Sequence, residues 1–136
     1  MKTARDNQYW SIIHDTEHDI LFCEWKEGNE YQLDDEIFKE EMLHYAAIVE
    51  ECQASKLLLN LRHGNYSMAP VIQEWVATDI APRTIAAGQR KIATVLSDNL
   101  FAQVSLQQLM EEGDIPLIQQ QYFDNREQAI NWLKEG

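Results

Sequence analysis

The sequence predicts an α/β domain built on a mixed, five-stranded sheet, with an antiparallel hairpin first, β-α repeats after it, and helices mainly on one face. Three observations predict this class. Two short segments rich in aromatic and β-branched residues lie near the start, joined by a polar turn. Beyond them, apolar runs of strand length alternate with stretches whose apolar residues recur at helical spacing, the pattern of parallel strands joined by right-handed crossovers. The strands also carry Glu24, Lys26, Asn60, Arg62, Thr94 and Gln120, mixed with Phe22, Leu58 and Tyr122. Parallel strands covered on both faces read as continuous apolar runs, so these polar residues point to one partly open face.

The hairpin comprises residues 8–14 (QYWSIIH) and 20–26 (ILFCEWK), separated by Asp15, Thr16, Glu17, His18 and Asp19. The clearest helix spans residues 34–53, where Phe38, Met42, Tyr45, Val49 and Cys52 form one apolar stripe. Asp34 is placed to cap its first amides, with Leu33 and Phe38 as a hydrophobic staple. Residues 56–62 (KLLLNLR) read as a strand, with Leu57, Leu59 and Leu61 on one side and Leu58, Asn60 and Arg62 on the other. A second helix is expected over 68–87, with Ile72, Trp75, Val76 and Ile80 inward, Pro70 in its first turn, and an interruption at Pro82. Residues 91–96 (KIATVL) form the next strand, and a third helix runs from Ser97 and Asp98 to about residue 112. The last strand is 118–123 (IQQQYF), and Asp124 with Glu127 reads as a capping box for a helix carrying Ala129, Ile130, Trp132 and Leu133.

Size and charge narrow the function. The 136 residues suit a single domain, 1–136, with 45% hydrophobic and 25% charged residues. A net charge of −12, from 23 acidic against 11 basic residues, repels phosphate backbones and anionic headgroups, which argues against nucleic acid as a partner. No apolar run approaches the ~20 residues that span a bilayer, so no membrane insertion is expected. The first residues lack the apolar stretch of a secretory signal, and Cys23 and Cys52 read as free thiols. A cytoplasmic location is the expectation.

Recognisable chemistry is sparse. There is no G-x-S-x-G elbow, phosphate-binding glycine loop or Cys-x-x-Cys pair, and neither a metal nor a cofactor is expected. His14 to Asp19 offers nitrogen and oxygen ligands but reads as a solvated turn. The pairs Asp34-Asp35, Glu40-Glu41, Glu50-Glu51 and Glu111-Glu112 read as solvated charge on helix starts and polar faces. The loop Arg62, His63, Gly64, Asn65, Tyr66 and Ser67 stands apart. It leaves the carboxyl end of a central strand and enters a helix start, where open α/β sheets bind ligands and free amides favour an anion. An ordinary βα connection, with Gly64 relieving backbone strain, accounts for the same residues.

The element order and the strings LLLNLRHGNYSMAPVIQEW and RKIATVLSDNLFAQVSLQQLMEE resemble the SpoIIAA-like proteins, the group uniting STAS domains with Sec14-like folds. More narrowly, the chain resembles the small stand-alone members common in Bacteroidetes. The resemblance implies a right-handed β-α superhelix and a regulatory or scaffolding, non-enzymatic role through contacts with a protein partner, a homodimer being one form. A small-ligand or lipid-binding module of the Sec14 kind is its alternative. In anti-sigma-factor antagonists a phosphorylated Ser opens the helix after the central strand, beside an Asp ending that strand. The resemblance places Ser67 and Asn60 at those positions, so Ser67 is a candidate phosphorylation or partner site. The sequence lacks the Asp-Ser-Ser/Thr-Gly string, carries Asn60 for the acid, and has a longer loop before Ser67, which serves equally as a helix cap.

Overall fold

Alternating apolar side chains along the strands divide the core into two layers, one on each side of a single sheet. The computed structural model describes residues 1–26, 34–62, 70–96 and 118–135. Among these residues six strands pair in sequence order: β1 (Lys2–Asp6), β2 (Trp10–Asp15), β3 (Ile20–Trp25), β4 (Lys56–Asn60), β5 (Lys91–Val95) and β6 (Gln119–Phe123). β1, β2 and β3 are antiparallel neighbours, and β3 through β6 run parallel. The α/β class and the mixed sheet agree with expectation, but the strand count of five does not. The additional strand is β1. Its sequence, KTARD, holds almost nothing apolar to mark it, and it is a strand because β2 offers an edge with which it pairs.

Helix α1 (Asp35–Cys52) follows the expected span, with the Asp34 carboxylate accepting from the Ile37 amide at 2.8 Å. It ends where Gln53 turns left-handed, at φ 54°. The second helical stretch consists of α2 (Pro70–Trp75), a π-helical turn (Val76–Ile80) and α3 (Ala81–Ala86), set end to end. Pro82 withholds an amide from the helical ladder. The chain widens to π spacing just before it, with the Ala81 amide reaching back five residues to the Val76 carbonyl, so the rod continues through the expected interruption. Gly88, at φ 109°, then turns the chain toward β5, a conformation that side chains resist. The final helix, α4 (Arg126–Lys134), is capped by Asn125, whose side chain accepts from the Gln128 amide at 3.1 Å, and not by Asp124. The third helix expected over 97–112 lies outside the described residues.

The two layers explain where the helices go. On one face Trp10, Ile12, Leu21, Cys23, Trp25 and Leu57 pack against Phe38, Tyr45 and Val49 of α1 and against Ile72 and Ile80. On the other, Ile20, Phe22, Leu58, Ala93, Val95 and Phe123 pack against Ala129 and Leu133 of α4. The described helices therefore occupy both faces, with α4 lying over β4, β5 and β6. Strand register also divides the polar residues expected on one face. Glu24 and Asn60 are partners and share the α4 face, whereas Thr94 aligns with Leu59 and Gln120 with Ile92 on the other. Alternation within a strand is legible in sequence, but the phase between strands is set by pairing.

Stacking of Trp10 on Trp25, with centroids 4.6 Å apart, fills the α1 side of the core. Both cysteines are free, and full burial pushes the Cys23 thiol well up, as expected of an inert core sulfur. Among the described residues no helix is long and apolar enough to cross a membrane. Leu58 is fully buried in the second layer, while Leu43 on α1 is half exposed. Leu58→Ala is expected to lower unfolding stability by about 2–5 kcal/mol, and Leu43→Ala by less than about 0.5 kcal/mol, in urea titrations. Equal shifts would contradict the two-layer core.

Candidate functional site

The parallel strands deliver their carboxyl ends to one edge, the edge where open α/β sheets bind ligands. Five residues meet there: Glu24 from β3, Asn60 and Arg62 at the end of β4, and Asp124 and Arg126 where β6 passes into α4. The Glu24 carboxylate accepts from Arg126 Nε and from Asn60 Nδ2, the latter at 3.4 Å. Asn60 turns its Oδ1 to the Arg62 amide at 3.1 Å, and the Arg62 guanidinium donates to the Asp124 carbonyl at 3.3 Å. Arg126 also lies over the Phe22 ring, 5.4 Å from its centroid. A cation on the first residue of a helix is opposed by the helix dipole, and Glu24 offsets that cost. The Glu24 and Arg126 side chains remain 28% and 49% exposed, so their ion pair contributes no more than about 1 kcal/mol.

Of the loop singled out in the sequence, Arg62 joins this edge, while His63, Gly64, Asn65, Tyr66 and Ser67 lie outside the described residues. Asn60 bonds within the cluster. Glu24 and Arg126 were not assigned to this edge from sequence, being 102 positions apart. The only available signal was the carboxylate at the end of an apolar strand. As an assembly, the edge presents two guanidinium groups, a carboxylate and an amide in a bonded row. Among the described residues, no serine, cysteine or histidine side chain bonds into it.

The turn between β2 and β3 is more ordered than a solvated turn. Asp15 is buried, and its Oδ1 accepts from the Glu17 and His18 amides while Oδ2 meets His18 Nδ1 at 3.1 Å. Those bonds, led by the one to His18, hold the Asp15 carboxyl below its ordinary value. Asp19, in the left-handed region at φ 57°, accepts from the amide and the hydroxyl of Ser55 at 3.0 and 2.7 Å and faces His14 at 3.5 Å. Desolvation pushes the Asp19 carboxyl up, and the Ser55 and His14 bonds outweigh it. The two histidines thus pair with different aspartates. Ligand atoms of Asp15, Glu17 and His18 all lie within 4.8 Å of one another, with Asp15 already committed to His18 and the turn's amides.

Glu41 departs furthest from the reading of solvated acidic pairs. It is only 4% exposed, and its carboxylate accepts from Arg5 Nε and Nη2 at 3.0 and 2.8 Å, Asn7 Nδ2 at 2.8 Å and Trp10 Nε1 at 2.8 Å. Desolvation acts to raise this carboxyl, but the four donors hold it below the ordinary range. Its spacing from Phe38 and Tyr45 puts it on the inward stripe of α1, a signal that the reading of solvated pairs passed over.

Comparison with protein-family models, with curated proteins and with solved structures finds no match to this chain.

Folded-state carboxyl values below the unfolded ones stabilise the protein above the unfolded value, and that stability is lost as pH falls through the folded ones. For Asp15, Asp19 and Glu41 the loss is expected below about pH 4. Chemical denaturation at a series of pH values checks it. Asp19→Asn should flatten the acid limb, and an unchanged limb would remove Asp19 from the account.

Proposed function

We propose that this chain is a SpoIIAA-like, STAS-type domain that regulates or scaffolds through protein contacts, self-association included, without catalysing a reaction. Support for the fold assignment comes from the two successive parallel connections. β3 to β4 by way of α1, and β4 to β5 by way of α2 and α3, both pack on one face, the arrangement a right-handed β-α superhelix requires.

The observation that carries the functional reading is the carboxyl edge itself. Its polar side chains are bonded to one another: Glu24 lies between Asn60 and Arg126, and Arg62 grips the main chain at Asp124. Catalytic edges bring a nucleophile or base toward an open position with a displaced proton affinity. A row of mutually bonded charged and polar groups at strand ends suits a contact surface, where complementary charge governs recognition and orientation. The net charge of −12 extends this by favouring partners with basic surfaces and faster association at low salt.

Light scattering across a concentration series tests the self-association arm, with a shift from monomer to dimer mass expected at high concentration. A monomer mass throughout would remove that arm. Native mass spectrometry separates the alternative, since a retained small-molecule or lipid adduct would move the protein to the Sec14-like reading.

A further inference from the structure

We propose that β1 is an exchangeable edge strand, secured by the Glu41 latch, and that the β1 of a second copy is the strand that replaces it. This rests on the self-association reading and names its interface. Four of the five β1 residues are exposed and Arg5 is half-buried, so burial of apolar surface contributes almost nothing to holding the strand. Among the described strands β1 pairs with β2 alone, and that register is irregular between Thr3 and Arg5. What secures it is polar: Arg5 and Asn7 on the buried Glu41 carboxylate, and Asp6 on Lys26.

Beneath it, β2 is of the opposite character, with Trp10 and Ile12 buried. Releasing β1 bares the β2 edge and leaves Glu41 buried without its cation, two costs that only a matching strand removes. That strand must bring an arginine into register with Glu41, and among the described strands β1 alone contains one. A second copy's β1 therefore meets both requirements and restores the same bonds, which is what makes strand exchange a low-cost route to a dimer. The Asn7–Tyr9 connection is the hinge. Asn7 Oδ1 now accepts from the Tyr9 and Trp10 amides, and straightening that turn would join β1 and β2 into one long strand.

The register places Asp6 opposite Ser11, which supplies the test. Asp6→Cys and Ser11→Cys are combined in a Cys52→Ser background, with Cys52→Ser alone as control. Oxidised dilute, the introduced thiols should close within one chain and yield a monomer that no longer dimerises. Oxidised where the dimer dominates, they should link two copies, giving a covalent dimer on non-reducing denaturing gels. A dimer that stays non-covalent, or a locked monomer that still dimerises, would overturn the exchange while leaving self-association standing. Absence of any dimer would remove both. Arg5→Ala tests the latch without touching the core. Amide exchange in β1 and mixing of labelled with unlabelled copies should accelerate at least about tenfold, with β3–β5 protection unchanged. Unchanged mixing would sink the latch.

Discussion

Burial of both faces of the central strands is the constraint from which the rest of the architecture follows. In β3, the consecutive residues Ile20, Leu21, Phe22 and Cys23 are all buried, and in β4 Leu57 and Leu58 are buried on opposite sides. Side chains alternate across a strand, so such runs can be satisfied only by apolar cover above and below the sheet. α1 and the helical rod through α3 supply it on one face and α4 on the other. The polar residues that end these strands, Glu24 and Asn60, then emerge together beyond the apolar cover. The carboxyl-edge cluster is a consequence of where the core stops.

Charge is handled differently at the centre and at the margins. Surface pairs such as Arg83 with Glu50 are exposed and contribute little. Glu41 is the opposite case, a carboxylate withdrawn from water and repaid with four donors from a neighbouring strand and turn. Such a group fixes geometry more than it adds stability, because any arrangement that fails to bring Arg5 and Trp10 to it is penalised. Asp19 performs a similar service on a smaller scale, tying the β2–β3 turn to Ser55 at the start of β4. Together they orient the antiparallel half of the sheet relative to α1 and to the parallel half.

These commitments bear on function. Ionisable groups with shifted proton affinities mark active sites when they face an open pocket. In this molecule the shifted carboxyls at Asp19 and Glu41 tie elements together, and that at Asp15 holds its own turn. The proposed role in protein contacts accords with a fold whose polar chemistry is spent on architecture and whose edge strand is held by that chemistry.

Helices α1 and α4, strands β2 to β6 and the α/β class were legible in the sequence, because periodicity and end-capping are local properties that a short window displays. Arg62 and the carboxyl edge of β4 were legible for the same reason, a strand pattern running into a helix start. Residues distant in sequence were not: the Glu24–Arg126 pair spans 102 positions, and no local pattern links its members. β1 was silent because KTARD becomes a strand only when β2 presents an edge, and Glu41 was misread because its burial depends on Arg5 arriving from that strand. By itself the sequence determined which segments could be helix or strand. Tertiary structure alone decided the phase between strands, the face each helix covers and which charges are withdrawn from water, since those are set by contacts between segments and not within them.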